Sequence, residues 1–299
     1  MKMSSNLVRD CRRHYASELE KIYGSNEANA LVMIVLEHYF GIDRVKMALE
    51  PELRLSESEL LTLHFAVKEL LKNKPIQYVI GETEFCGMRF FVEDGVLIPR
   101  PETEELVRDI VNHQGVTRLG ASRLARNDNR SLLDIGTGSG CIAISLAKLL
   151  KDSVVTAVDV SEKALEIAKK NAEANGVDVR FVLDDILNPR NPELTGNQYD
   201  IIVSNPPYVC ESEKAEMRAN VLDYEPSAAL FVSDNDPLIF YRKILEFAQK
   251  TLKSNGQVWF EINEKFGEEM TNLCLDKGFK NVEIIKDFRG KDRFLKADL

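Results

Sequence analysis

The run VSNPPYV, residues 203–209, follows the apolar stretch YDII with an asparagine, two prolines and a tyrosine. Prolines stop a strand because they lack an N–H and lock φ. They account for neither Asn205 nor Tyr208. A planar N–H₂ group, on an amide or an aromatic amine, is a poor nucleophile because its lone pair is delocalised. A site helps by accepting hydrogen bonds from both N–H groups, which turns the lone pair toward the electrophile. The Asn205 side-chain oxygen is one such acceptor, and the Pro206 carbonyl, held rigid by Pro207, is a second. Tyr208 can pack on the flat substrate group. Asn205, Pro206, Pro207 and Tyr208 are therefore candidate catalytic residues, with proximity and orientation as the main gain. Strand punctuation is the plainer alternative for the same four.

A second constellation lies upstream. LLDIGTGSG places Gly136, Thr137, Gly138, Ser139 and Gly140 after an apolar strand-like run. Glycines there make a tight turn and let a ligand approach the backbone at a helix N-terminus. Asp159 ends the next strand, about 20 residues on, where a carboxylate can accept from ribose hydroxyls. A dinucleotide fingerprint would need Gly or Ala at position 141, which is Cys141. The pattern D-x-G-x-G-x-G from Asp134 instead resembles motif I of S-adenosylmethionine-dependent methyltransferases. That cofactor presents an amino-acid tail and a sulfonium cation where a dinucleotide presents a pyrophosphate. Asp185 could bond an adenine amino group and Ile186 could pack on its ring, although aspartates such as Asp184 and Asp185 at strand ends are also common turn formers. Asn205 would adjoin the cofactor as well as the substrate. His14, His38, His64 and His113 all precede this strand, so no histidine general base is expected.

The elements that must position these groups follow from periodicity. Leu7, Cys11, Tyr15, Leu19 and Tyr23 recur every fourth residue and Gly24 ends the run. A second helix spans about 27–40, and a third opens on a capping box at Ser56 and Glu59. Residues 1–75 read as a small helical bundle. Residues 76–100 read as a β-hairpin linker around an Asp94-Gly95 turn, and 101–299 as a second domain. Pro101 suits the first position of a helix, with Glu102, Glu104 and Glu105 in its first turn. Residues 114–130, polar and locally basic, read as an exposed loop. From Ser131 onward strand and helix alternate through seven strands, which predicts an α/β fold with a mostly parallel sheet and helices on both faces. The last two strands should form an antiparallel hairpin turning at Arg289, Gly290 and Lys291.

Composition narrows the partners. Of 299 residues, 44% are hydrophobic and 29% charged, ordinary for a globular protein with a full core. The net charge of −9, from 39 basic and 48 acidic residues, disfavours stable nucleic-acid binding. The five cysteines are scattered and never spaced C-x-x-C, so neither a metal site nor a disulfide frame is expected. The start, MKMSSNLVRDCRRHY, lacks an apolar signal core, and no apolar run is long enough for a bilayer. A cytoplasmic protein without membrane association is the expectation.

The run KPIQYVIGETEFCGMRFFVEDGVLIPRPETEELV, residues 74–107, resembles the linker of the HemK/PrmC family of peptide-chain-release-factor glutamine N5-methyltransferases. DIGTGSGCIAISLA, VSNPPYV, YEPSAALFV and DFRGKDRFLKADL are similar to the same family. The resemblance implies a helical N-terminal domain that docks the substrate and a Rossmann-like, seven-stranded S-adenosylmethionine-dependent methyltransferase domain. It implies methylation of the glutamine in the GGQ motif of class-1 release factors. It assigns the residues of 136–140, Asp159 and Asn205 to the cofactor, and 205–208 to the glutamine amide. It also brings Arg100, Glu102 and Thr103 near the cofactor, although a proline-initiated helix already accounts for Pro101 and Glu102. Some members carry Trp where this chain has Ile186, which bears on the adenine contact and not on the reaction. Two other substrates stay open: a ribosomal-protein glutamine, and an adenine or guanine of a nucleic acid, for which NPPY is equally suited. A non-catalytic partner-binding protein is a further alternative that the intact motifs argue against.

Overall fold

The computed structural model describes residues 5–120 and 130–299. The chain forms two compact units, one of Met1–Glu82 with Arg218–Tyr224, the other of Thr83–Met217 with Glu225–Leu299.

The first unit is helical: α1 (Val8–Tyr23), α2 (Ser25–Phe40), α3 (Arg44–Leu49), α4 (Glu57–Leu70) and α5 (Ile76–Ile80). Its core joins Cys11, Tyr15 and Leu19 of α1 to Val32 and Leu36 of α2 and to Leu63, Val67 and Leu70 of α4. The fourfold spacing along α1 is what brings its three residues to one face. Gly24 takes a φ of +76° between α1 and α2, where the chain must turn sharply. The capping box at α4 is formed: Glu59 Oε2 accepts from the Ser56 N–H at 2.7 Å and Ser56 Oγ from the Glu59 N–H at 3.3 Å. The later segment returns to this unit, where the Tyr224 hydroxyl donates to the Lys72 carbonyl at 2.8 Å.

The second unit opens with a hairpin of β1 (Glu82–Phe85) and β2 (Met88–Phe91). Its turn is at Cys86 and Gly87, not at the expected Asp94-Gly95. Both turn residues have positive φ, +50° and +71°, as the primed two-residue turns require. Cys-Gly lacks the Asn or Asp that usually marks such a turn, which is why the sequence pointed elsewhere. Next come α6 (Pro101–Gly120), β3 (Arg130–Ile135), α7 (Cys141–Leu149), β4 (Ser153–Asp159), α8 (Glu162–Asn175), β5 (Arg180–Leu183), α9 (Pro192–Thr195), β6 (Tyr199–Ser204) and β7 (Val209–Cys210). Then follow α10 (Ala219–Leu222, in the first unit), α11 (Ser227–Leu230), β8 (Phe231–Val232), α12 (Ile239–Thr251), β9 (Leu252–Glu261), α13 (Gly267–Asp276), β10 (Lys280–Lys286) and β11 (Asp292–Asp298). Residues 114–120, expected in a loop, are the end of α6. Gly115 reads as a breaker, but buried Gln114 donates to Gln257 Oε1 of β9 at 3.3 Å, so tertiary contact accompanies the helix past that point. Residues 121–129 of that expected loop lie outside the described residues.

The seven-stranded sheet has the order β10-β11-β9-β6-β3-β4-β5. Strands β9, β6, β3, β4 and β5 are parallel. Strand β11 runs antiparallel to both β9 and β10, as the closing hairpin predicted. Side chains alternate across the sheet. Leu132 packs with α6 and α7 on one face through Leu106, Ile110 and Ile142. Leu133 packs with α12 and α13 on the other through Tyr241, Ile244 and Met270. The chain leaves β3 toward β4 on one side, whereas β6 lies on the other side of β3. This reversal is a topological switch point, where the strand C-termini open a crevice.

Candidate active site

A cavity of about 260 Å³ lies at the C-terminal ends of β3, β4, β5 and β6. Register sets its two central residues side by side. Ile135 of β3 pairs with Ser204 of β6, so Gly136 and Asn205, the next residues, leave adjacent strands at the same level. The Ser204 hydroxyl donates to the Ile135 carbonyl at 2.7 Å and ties the two ends together.

The glycine loop is built by its backbone. Gly136, Gly138 and Gly140 have φ of +74°, +55° and +81°, a region that costs other residues about 1–2 kcal/mol. The Gly136 and Thr137 N–H groups both donate to the Val158 carbonyl of β4, at 2.9 and 3.1 Å. Gly140 does not line the cavity. It begins α7, and a Cβ there would lie 2.8 Å from Ile144 Cδ1 and 3.1 Å from Ala168 Cβ of α8. Its absence of a side chain lets α7 and α8 approach.

Two aspartates frame this loop. Asp134 is fully buried; its Oδ2 accepts from Thr137 Oγ1 at 2.6 Å and from the Ala143 N–H at 3.2 Å. Among the described residues its Oδ1 has no hydrogen-bond partner. Burial raises its carboxyl to about 7, against the lowering effect of those two bonds. Asp159 lines the cavity, accepting from the Gly138 N–H at 2.8 Å and from the Ser161 N–H at 2.9 Å. Burial raises its carboxyl as well, opposed by these N–H groups. Thr137, Ser139, Cys141, Asp184, Asp185 and Ile186 also line the cavity. Asp184 behaves as a turn former: its carboxylate accepts from the N–H groups of Asp185, Arg190 and Asn191. Asp185 is exposed and accepts from the Leu187 N–H at 2.9 Å, while Ile186 packs against the sheet core.

Asn205, Pro206 and Pro207 line the same cavity. Among the described residues, neither Asn205 Oδ1 nor the Pro206 carbonyl accepts a hydrogen bond. Asn205 Nδ2 does have a partner, Thr103 Oγ1 at 3.4 Å. Tyr208, expected to pack on the substrate, is not among the lining residues. Its ring packs against the sheet core and its hydroxyl donates to Glu261 Oε1 at 2.9 Å. Burial, and then the Glu261 carboxylate, push that hydroxyl well above its ordinary value, so Tyr208 is a neutral donor. None of the four histidines lines the cavity, and among the described residues no group of acidic, histidine or cysteine side chains could hold a metal.

Sequence reasoning gave no role to two buried carboxylates. Glu261, at the end of β9, accepts from Thr103 Oγ1 at 2.7 Å as well as from Tyr208. Burial raises its carboxyl against the lowering effects of Thr103, Tyr208 and Arg293. Glu225 pairs with Arg100 Nη2 at 2.6 Å and accepts from the Ile98 N–H at 3.3 Å. Pro226, Ala228 and Ala229, which follow Glu225 in the chain, line the cavity. A signal for Glu261 existed: it is a lone acid inside the apolar run VWFEI.

Comparison with known proteins defines the class first. A family model described as the methyltransferase small domain matches residues 114–224, a stretch that holds the glycine loop and the NPPY segment. The second unit is thus a methyltransferase domain. The PrmC N-terminal domain model matches residues 10–81. The chain is 45% identical over 292 residues to the release factor glutamine methyltransferase of Flavobacterium psychrophilum, covering 98% of this chain and 99% of that one. It is 46% identical over 280 residues to that of Bacteroides thetaiotaomicron, covering 94% and 96%, and 38% identical over 273 residues to that of Bacillus subtilis, covering 91% of each. The chain belongs to the release factor glutamine methyltransferase family. Among solved structures, the hMettl16 catalytic domain in complex with a 3'UTR hairpin shares the fold, at TM-score 0.50 and 17% identity over 81% of each chain.

Proposed function

We propose that this protein transfers a methyl group from S-adenosylmethionine to the side-chain amide nitrogen of the glutamine in the GGQ motif of class-1 peptide chain release factors. The observation that carries the reading is the pair of unengaged acceptors, Asn205 Oδ1 and the Pro206 carbonyl, beside the glycine loop in one cavity. Family membership supports the release factor as the source of the glutamine. The net charge of −9 disfavours a stable nucleic-acid partner, and among the described residues no helix is long and apolar enough to cross a membrane. Release factors act in the cytoplasm, which is where this reading puts the protein.

The cavity residues fit the cofactor. Gly136 and Gly138, both with positive φ, expose backbone to the cavity where a side chain would intrude, and a carboxylate stands at the end of β4 for hydroxyl groups. Gly136, Thr137, Gly138 and Ser139 would hold the amino-acid tail, Asp159 the ribose, and Asp185 with Ile186 the adenine. When bound, the cofactor supplies a methyl carbon made electrophilic by its sulfonium. The protein's own work is orientation. Asn205 Oδ1 and the Pro206 carbonyl accept hydrogen bonds from the two amide N–H groups and turn the nitrogen lone pair toward the methyl carbon; as the N–C bond forms and the C–S bond breaks, the nitrogen gives up one proton to solvent. Pro207 fixes the backbone that aims the Pro206 carbonyl. Tyr208 and Gly140 act as supports, the first anchoring the NPPY segment to Glu261 and the second seating α7.

A glutamine side chain alone offers too little surface for selection, so the helical unit supplies docking area. Ile22, Ile34, Tyr39, Leu61 and Phe65, large apolar residues exposed on this unit, support that role. The test offers radiolabelled cofactor with release factor, ribosomal proteins, ribosomal RNA and DNA in parallel. Label is expected in the release factor, at the GGQ glutamine by peptide mass spectrometry. Label only in nucleic acid would overturn the reading, and label only in a ribosomal protein would move it to a different glutamine.

A further inference from the structure

Glu261, Thr103 and Asn205 form a hydrogen-bonded chain whose direction follows from the chemistry of its first member. Glu261 is 2% exposed, as is Thr103. The Thr103 and Tyr208 hydroxyls approach Oε2 and Oε1 of Glu261 at 2.7 and 2.9 Å. Burial raises the Glu261 carboxyl, and these two hydroxyls and the nearby Arg293 oppose that rise. Both hydroxyls donate to Glu261, so both hydroxyl protons are committed to it. Thr103 has one proton, and it therefore shows Asn205 a lone pair and nothing else. The end of the Asn205 amide that can meet a lone pair is Nδ2, and Nδ2 is the atom found there, 3.4 Å from Thr103 Oγ1. The bond is long. The reversed amide would nevertheless set oxygen against oxygen with no proton between them.

We propose that Glu261 is a positioning residue which, through Thr103, fixes the end of the Asn205 amide that meets the substrate. The inference rests on the reading that Asn205 Oδ1 accepts from the glutamine amide. With the chain intact, Nδ2 is held toward Thr103 and Oδ1 is left for the substrate N–H. With the amide reversed, an N–H₂ would face an N–H₂, and the acceptor pair would be lost. The residues involved come from α6, the end of β6 and the end of β9, so three elements must meet before the amide has a defined sense.

The experiment compares full-length wild type, Thr103→Val, Thr103→Ser and Glu261→Gln. It measures kcat and KM on release factor, and affinity for S-adenosylhomocysteine by calorimetry. Thr103→Val keeps the shape and removes the lone pair; kcat should fall about tenfold or more while S-adenosylhomocysteine affinity changes less than about twofold. Thr103→Ser keeps the hydroxyl and should restore most of that turnover. Glu261→Gln can donate to Thr103, which frees the Thr103 proton to reverse Asn205, so kcat should fall with cofactor affinity again retained. If Glu261→Gln does not fold, the Thr103 pair decides. An active wild type with Thr103→Val unimpaired, or with Thr103→Ser as impaired as Thr103→Val, overturns the inference alone. A wild type inactive on release factor overturns the reading beneath it as well.

Discussion

Asn205 has one amide end engaged, at Thr103, while its Oδ1 accepts from none of the described residues; the proposed reading gives that oxygen to the substrate. Its removal should therefore act on the reacting complex more than on the cofactor. In Asn205→Ala, kcat should drop about 10²-fold, the scale seen when one preorganised hydrogen-bonding group is lost from a reacting centre. Affinity for S-adenosylhomocysteine should change far less, because the glycine loop, Asp159 and Ile186 are untouched. Steady-state turnover and calorimetry together check this; near-normal kcat would mean that the amide nitrogen is oriented by something other than Asn205.

At the scale of elements, the site depends on how closely α7 and α8 pack behind the glycine loop. Gly140 is the contact point. An alanine there takes a φ of +81° and sets a methyl 3.1 Å from Ala168 Cβ. Backbone strain and overpacking together should cost about 2–4 kcal/mol. Gly140→Ala should show this in urea unfolding as a lower midpoint with an unchanged slope. Gly138→Ala has the strain at φ +55° but meets no atom within 4 Å. Its loss should be smaller, about 1–2 kcal/mol. Equal losses in the two variants would show that helix packing contributes nothing at position 140. The hairpin of β1 and β2 illustrates the same dependence on backbone sign, since its turn needs positive φ at Cys86 as well as at Gly87.

For the whole molecule, stability carries the trace of one buried acid. The ordinary Asp134 carboxyl ionises near 3.8, and in the folded protein burial raises it to about 7. Between those values the folded state keeps a proton that the unfolded state has released. Stability from this group therefore falls as pH rises from about 4 to about 7 and levels off above. Asp134→Asn cannot ionise and keeps an oxygen for Thr137 and the Ala143 N–H. Its melting temperature should lose less across that window than the wild type's. Parallel melting curves over the window would show that Asp134 stays ionised in the folded protein. The measurement belongs to the protein without cofactor, since a ligand bound only to the folded state adds its own stabilisation.

The sequence alone determined the parts of this protein that are local. The glycine loop was legible because positive φ selects glycine within a few residues of the strand end. The NPPY segment could be singled out because its four residues are neighbours in the chain. The strand and helix pattern of the second unit followed from periodicity, which needs no distant contact. Only the tertiary structure decided what depends on pairing across the chain. Glu261 meets Thr103 across 158 positions, and Asn205 meets Thr103 across 102. Residues 218–224 return to the helical unit after more than a hundred intervening residues. The Tyr208 hydroxyl found its partner in a carboxylate at the end of β9, 53 positions away. Gln114, on helix α6, found Gln257 on β9 across 143 positions. In each case the deciding partner is distant in the chain and close only in the folded protein. Local propensity contains no term for it.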